Sequence, residues 1–351
     1  MIRSFSVGLA VSILGLWMAG CAGLPRDAGQ ASTALQPFEA TDHPGFWQSE
    51  GYGYVYHATP TRLALYHVAG DVCVPQPENE LALLDFLDLY RAGEKSDTLY
   101  LSSVLDPFEY TFRRAEALPA ACRAVPADTP LENFDALAAY FRTHYSFFDL
   151  YDVDWEERVA ETRDAISPDM TDRALFDAMA ELLQPLKDAH IQIEAEIDGE
   201  EVVYDGNPGR TDQAVVARGR QDGMAPGEAT RQFRRSYWLD GIRDTLLRGE
   251  GKLAGNGRIQ YGLLSESVGY MTFVSMGGYV DGEFDTAYEE RSALDPIMEE
   301  ALALFAEQGV EAVVIDLSLN IGGYDFIGLD IAGRFAAERT LAFTRRAGDT
   351  P

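Results

Sequence analysis

Apolar residues recur at two different spacings along the chain, and the change of spacing divides it. Gly51-Tyr-Gly-Tyr-Val-Tyr-His57 and Arg62-Leu-Ala-Leu-Tyr-His-Val68 alternate apolar and polar positions, the period of half-buried strands. Tyr100–Val104 and Phe108–Phe112 read as further strands and Leu81–Tyr90 as a helix or helical turn, so residues 37–126 are expected to form a small β-rich domain. From Thr129 the period lengthens. Thr129-Pro130 with Glu132 is a capping box with proline at the first helical position, and Phe134, Leu137 and Phe141 follow on one face. Asp154 with Glu157 opens a second helix carrying Trp155, Val159 and Ile166, broken at Ser167-Pro168. A third runs from about Thr171 to Leu186 with Leu175, Met179 and Leu182 inward. Residues 127–195 therefore read as a three-helix unit ending in a strand, His190–Glu194. Residues 196–262 are rich in glycine and charge and read as an irregular insert, with a strand near Glu201–Tyr204 and a helix over Ser236–Leu247.

From residue 263 the pattern is that of an α/β core. Val268–Val274 and Val310–Leu317 read as strands, Ala293–Gln308 and Asp325–Phe335 as helices, and Thr340–Thr344 as the start of a third strand. Gly309 is the stop of the first helix. Val313-Val314-Ile315 is continuously apolar and β-branched, as a parallel strand covered on both faces would be. Such a sheet needs several strands, so residues 263–351 are expected to be an incomplete core. No internal repeat is present.

The 351 residues suffice for two or more domains, and 46% of them are hydrophobic, enough for sizeable cores. Residues 1–20 do not belong to the fold. Arg3 precedes an apolar run from Val7 to Trp17, and Met18-Ala19-Gly20-Cys21 follows. This resembles a bacterial lipoprotein signal, in which Cys21 is lipidated and residues 21–36 tether the body to the membrane. The run is too short for a membrane span. The resemblance implies a lipid-anchored protein of the bacterial envelope facing the periplasm, and Ala22, where an aspartate would signal inner-membrane retention, favours the outer membrane. The formal net charge of −29 argues against nucleic acid and anionic lipid surfaces as partners. Cys73 and Cys122 remain as a candidate disulfide in an oxidising compartment, and the sequence leaves their pairing open. No cysteines or histidines show metal-ligand spacing, and no cofactor or metal is expected.

Two segments carry candidate chemistry. The strand ending at Asp316 runs into Asn320-Ile321-Gly322-Gly323 and then a helix. In α/β sheets ligands meet the carboxyl ends of strands, and a Gly-Gly turn there lets backbone N–H groups approach an oxyanion; a ligand-free connection fits as well. Among His43, His57, His67, His144 and His190, only His190 stands at a helix-to-strand corner, on the polar face that alternation gives to Gln192 and Glu194. A general base needs such access and a pKa near neutrality, while position alone fits a surface histidine at a turn better. His144, in His144-Tyr-Ser-Phe-Phe148, reads as structural.

The stretch Phe134-Asp-Ala-Leu…Tyr145-Ser-Phe-Phe-Asp149…Val153-Asp-Trp155…Leu183-Gln-Pro-Leu-Lys-Asp-Ala-His190 resembles the helical region of the tail-specific (C-terminal-processing) serine proteases, more closely their tricorn-like branch. The family's Asp-Gly-His triplet stands here as Asp188-Ala189-His190. Its strand ending Asp-x-Arg-x-Asn-x-Gly-Gly stands as Asp316-Leu-Ser-Leu-Asn-Ile-Gly-Gly323, with Ser318 for the arginine. The resemblance covers roughly residues 130–345 and implies a crotonase-like (ClpP/crotonase) α/β core and serine-type peptide hydrolysis in exported proteins. His190 would be the base, Gly322 and Gly323 the oxyanion donors, and Asp316 and Asn320 would shape the turn. The family's nucleophile and its partner lie after the strand expected near Thr340. The chain is therefore expected to stop before them and to be inactive as it stands. Ser275 and Ser318 lie near the right strands, but neither opens a helix, and no nucleophile is assigned. Residues 196–262 show no carboxylate-binding loop, so no PDZ domain is expected. Two other readings stand beside this one: a non-catalytic ligand-binding protein on the same scaffold, and an envelope lipoprotein whose Tyr/Trp-rich β domain docks a partner.

Overall fold

A computed structural model describes residues 36–76, 87, 89–92, 97–103, 108–123, 127–206, 209–280, 287–344 and 347. Within them the chain is a mixed α/β protein with three sheets. The first sheet joins β1 (Gln36–Pro37), β2 (Gly45–Ser49), β3 (Tyr54–Thr59), β4 (Arg62–Ala69), β5 (Val72–Pro75), β6 (Leu89–Ala92), β7 (Thr98–Ser102) and β8 (Tyr110–Ala115) in the order β1-β6-β7-β8-β2-β3-β4-β5. Every pairing is antiparallel, and β2 to β5 follow one another through short hairpin connections. Alternation sends Trp47, Tyr56, Leu65, Leu101 and Phe112 into one core. Most of Leu81–Tyr90 lies outside the described residues, but its end is not helical: Leu89–Ala92 pairs with β7. Cys73 on β5 is disulfide-bonded to Cys122, with Cα atoms 5.0 Å apart, which pins the sheet to the segment leading into the helices.

The next unit holds α1 (Pro130–His144), α2 (Trp155–Asp164) and α3 (Asp172–Leu183). Each begins at a side-chain cap: Thr129 Oγ1 accepts from Glu132 N (3.3 Å), Asp154 Oδ1 from Glu157 N (3.0 Å) and Thr171 Oγ1 from Ala174 N (3.3 Å). Such caps contribute about 1 kcal/mol each. The inward stripes meet in one core around Phe134, Leu137, Trp155, Met179 and Leu182. The strand after α3 starts later than expected. β9 (Gln192–Ile197) leaves His190 in the preceding turn, because the chain must first reverse through Lys187, whose φ is +43°. β9 pairs with β10 (Glu200–Asp205), and Ile193, Ile197, Val202 and Tyr204 join the helical core, so this unit continues to Asp205.

The following stretch is mostly regular rather than irregular. α4 (Arg210–Gln221) and α5 (Pro226–Ser236) form a helical hairpin, and α5 runs on into a π-helix (Tyr237–Leu246). Its charge and glycine content mark exposed helices, not absence of structure.

The last sheet is built from β11 (Lys252–Ala254), β12 (Ile259–Ser265), β13 (Val268–Phe273) and β14 (Ala312–Asp316), in that order. Only β13–β14 is parallel; the other two pairings are antiparallel. The crossover helix α6 (Ala287–Glu307) packs Leu294, Met298, Ala301 and Phe305 on the sheet. A Cβ on Gly269 would fall 2.9 Å from the Phe305 ring, so the close approach needs glycine there. α7 (Asp325–Gly333) adds Phe326, Ile327 and Ile331 to the same core. Two expectations fail here. β14 is the sheet's edge, not a strand covered on both faces: Val314 is 43% exposed. Thr340–Thr344 is not a strand in the described residues and is exposed. Among the described residues no helix is long and apolar enough to cross a membrane.

Candidate active site

The turn between α3 and β9 folds around Asp188. After the single 3-10 turn Gln184–Leu186, the Asp188 side chain curls back over its own loop. Its Oδ1 accepts from the His190 backbone N–H (3.0 Å), an Asx turn, and lies 3.0 Å from His190 Nδ1. Its Oδ2 accepts from the Tyr145 hydroxyl at 3.0 Å. Tyr145 is the residue that ends α1, so α1 and α3 together fix the carboxylate. Asp188 is buried, whereas the His190 side chain is 62% exposed. Burial, and then the Asp188 carboxylate, push the Tyr145 phenol well above its ordinary value, so it remains a donor. With two other donors already aimed at Asp188, the ring contact is read as Nδ1–H donating to it. Nε2 is then left as an acceptor facing solvent, the arrangement a general base requires. Gly206 closes the turn from the other side. Its N–H donates to Ile191 O at 2.7 Å, and a Cβ there would lie 2.2 Å from Asp188 O.

The Gly-Gly turn is built in the same way from side chains that accept from nearby amides. Asp316 Oδ1 accepts from Ser318 N (2.8 Å) and Oδ2 from the Tyr270 hydroxyl (2.5 Å). Burial raises the Asp316 carboxyl, but the bonds from Ser318 and Tyr270 outweigh it and hold it below the usual carboxylate range. Asn320 Oδ1 accepts from Gly322 N (2.8 Å), while its Nδ2 donates to Phe273 O (3.0 Å), tying the turn to β13. Gly322 and Gly323 have φ of +95° and +129°, and a Cβ on Gly323 would fall 2.4 Å from Met276 O. Both glycines are therefore required by backbone conformation. Their N–H groups differ: that of Gly322 is occupied by Asn320, while that of Gly323 makes no hydrogen bond among the described residues.

The structure thus joins His190 to Asp188 and Tyr145, and the glycines to Asn320 and Met276. It does not bond the two sets to each other: His190 rests on the helical core and Gly322-Gly323 on the core of the last sheet. Neither serine near the strands serves His190. The Ser275 hydroxyl is buried and donates to Gly277 O at 2.5 Å, and Ser318 is exposed on the Asp316 turn. The other histidines have structural surroundings. His43 stacks on Phe38, His57 on Phe46 and His67 on Tyr140, while His144 Nε2 lies 3.3 Å from Val68 O. Among the described residues no group of three His, Cys, Asp or Glu side chains is placed to hold a metal. Cys21 lies outside the described residues. Sequence reasoning gave no role to Tyr145, Asp188 or Gly206. Asp188 carried a readable signal, an aspartate two residues before the histidine, the spacing of an Asx turn. Tyr145 and Gly206 carried none, because their approach to Asp188 is tertiary.

No protein-family model matches the chain, and no curated protein matches it. Among solved structures it is similar to one from Parabacteroides merdae ATCC 43184 described as a "putative peptidase", at 21% identity and a TM-score of 0.38. That likeness takes in 61% of this chain and 55% of the other, so the chain spans little more than half of that protein's length.

Proposed function

We propose that this protein is a serine-type peptidase acting on exported proteins, with a crotonase-like core of the tail-specific, tricorn-like kind and a lipid anchor at Cys21. The observation that carries the reading is the buried Asp188 carboxylate, held by Tyr145, that orients an exposed His190 ring. His190 would take the proton from a nucleophile at Nε2 and return it to the leaving amine. The Gly323 N–H, which makes no hydrogen bond among the described residues, would donate to the oxyanion, a contact worth roughly 2.7–4 kcal/mol of barrier in serine proteases generally. Gly322 would join it only if Asn320 released its N–H. The nucleophile is left unassigned.

The test uses protein produced from its complete reading frame, incubated with an unfolded fluorescent polypeptide. Cleavage is expected, and His190→Gln should reduce its rate by about 10²–10⁴-fold. No cleavage by the wild type, or an undiminished rate in the variant, would refute the reading. One observation favours the non-catalytic alternative: among the described residues His190 and Gly323 share no bonded partner. Under that alternative, the wild type would bind the polypeptide without cutting it.

A further inference from the structure

The β-sheet domain and the three-helix unit have separate hydrophobic cores, and among the described residues no side chain belongs to both. Besides the disulfide, they meet where α1 packs on β4 and β5. Aromatic rings line that seam. Tyr54 packs against the sheet core and Tyr140 against the helical core. His67, on β4, stands between them: its ring meets Tyr54 edge-on at 4.9 Å and stacks on Tyr140 at 6.1 Å. His144, the last residue of α1, packs on the same Tyr140 ring at 4.8 Å. Its Nε2 lies 3.3 Å from Val68 O, so an N–H there donates to the sheet. Gly53 makes room for it, since a Cβ at that position would lie 3.0 Å from the His144 ring. Two imidazoles, one from each unit, thus share one tyrosine, and all three rings are half-buried.

The seam has nothing to receive a positive charge. The residue opposite His67 on β5 is Val74. Burial holds the Tyr140 phenol well above its ordinary value, so it stays neutral. Asp71, in the β4–β5 turn, bears on Arg142 of α1, and Asp42, in the 3-10 turn beside β4, bears on His43. Arg123, in the 3-10 turn against β5, donates to Leu118 O. Among the described residues only His144 adds its charge to that felt by His67. Burial first, and then that imidazole, hold His67 down to about 4. A proton on His67 is therefore accepted more readily when the seam is open than when it is closed.

The seam also leads to the candidate base. Tyr145 follows His144 directly, and its hydroxyl donates to Asp188, whose other oxygen faces the His190 ring. We propose that the His67–His144 seam is an acid-sensitive latch: protonation opens it, the end of α1 loses its support on the sheet, and Tyr145 no longer fixes Asp188 and His190. Histidines clustered at an interface act as pH switches in this way. The Cys73–Cys122 bond ties β5 to the segment before α1, so the sheet swings away on a tether and closes again as pH rises. With 6.5 for the open seam and about 4 for the closed one, the open fraction should rise about 30-fold between pH 7.5 and pH 5. That the latch regulates catalysis rests on the reading of His190 as a base. Its opening is read without substrate, so failure of the latch and failure of the peptidase reading are separate results.

The experiment measures amide hydrogen exchange of the full chain by NMR at pH 7.5 and pH 5, corrected for the intrinsic pH dependence of exchange. Two amides report on the path: Tyr145 N–H, bonded to Phe141 O, and His190 N–H, bonded to Asp188 Oδ1. Both should lose protection about 30-fold at pH 5, while the amides of β13 in the last sheet keep theirs. His67→Phe leaves an uncharged ring between Tyr54 and Tyr140, and there the loss should fall below about threefold. Should that variant misfold, His67→Gln supplies the same comparison. Unchanged protection in the wild type, or an equal loss in wild type and variant, would overturn the proposal. So would a loss spread evenly through β13, which is general acid unfolding, or a loss at Tyr145 that leaves His190 unchanged.

Discussion

Replacing Asp188 by asparagine keeps the shape of the His190 turn and removes its charge. The carboxylate receives three donors: the His190 backbone N–H and Nδ1 at Oδ1, and the Tyr145 hydroxyl at Oδ2. An asparagine that keeps its oxygen on the His190 side turns an NH₂ toward Tyr145, so that hydroxyl must rotate to accept instead of donate. Hydrogen bonds to charged groups contribute about 1.5–3 kcal/mol and neutral ones about 0.5–1.5. With the His190 ring 62% exposed, its share is small, and the total loss is expected to be about 1–2 kcal/mol, read by urea unfolding. The larger effect falls on the ring. Without the carboxylate nothing holds the proton on Nδ1, and the imidazole should distribute between tautomers. In Ser-His-Asp enzymes the equivalent change costs about 10⁴ in kcat with geometry intact. Nitrogen-15 NMR of the imidazole reads the tautomer without any need for substrate. The wild type should show Nδ1–H, and Tyr145→Phe should keep it while losing about 1 kcal/mol of stability. A wild-type ring protonated at Nε2, or one whose tautomer ignores Asp188→Asn, would refute the orientation argument.

Four further outcomes follow from the packing. Cys73→Ser opens a loop spanning 49 residues, for which the chain-entropy relation gives a loss of about 4 kcal/mol, measurable by denaturation against the wild type. Gly323→Ala places a methyl 2.4 Å from Met276 O at a φ of +129°, and should destabilise the last unit by at least about 1–3 kcal/mol. Leu182→Ala empties a fully buried site between α3 and its neighbours and should cost about 2–5 kcal/mol. His67 is held down to about 4, by burial first and then by the His144 imidazole, against about 6.5 when unfolded. The unfolded chain therefore gains a proton before the folded one as pH falls from 6.5 to 4, and stability should drop over that window by up to about 3 kcal/mol. Carboxylates add their own slope there, so the check is the difference between wild type and His67→Gln. Parallel pH curves would contradict it.

What could be read in the sequence was local. Thr129, Asp154 and Thr171 each announced a helix because a cap is formed by residues three apart, and each accepts the amide that its spacing specifies. Alternation in Gly51–His57 and Arg62–Val68 announced two strands for the same reason, and they stand as Tyr54–Thr59 and Arg62–Ala69, paired with each other. The positions that misled depend on neighbours. Val313-Val314-Ile315 has the composition of a buried central strand, yet composition cannot say whether another strand lies beyond it, and β14 stands at the edge. Residues 209–236 were misjudged in the opposite sense, whereas the helix expected over Ser236–Leu247 stands as the π-helix Tyr237–Leu246. A helical hairpin that buries little beyond Gly219 and Ala229 needs few apolar residues, so its helices lacked the stripe by which buried helices are recognised.

The same distinction governs the candidate site. The Asp188–His190 contact spans two residues, and the Asn320–Gly322 contact spans two, so each half is specified by a segment short enough to read. Tyr145 lies 43 residues from the carboxylate it holds, and Gly206 reaches the turn only because β10 returns beside β9. These supports decide whether the histidine is oriented or merely present. A catalytic reading requires more, that Nε2 and the Gly323 N–H serve one substrate amide while standing on different hydrophobic cores. Cross-linking cysteines placed at Ala189 and Ile321, both exposed, with reagents of graded length measures that separation directly. Linkage by the shortest reagents, with a spacer of about 5–8 Å, is the expected result for a shared cleft. Linkage that needs spacers beyond about 20 Å would leave His190 as an oriented histidine with no oxyanion site to work with.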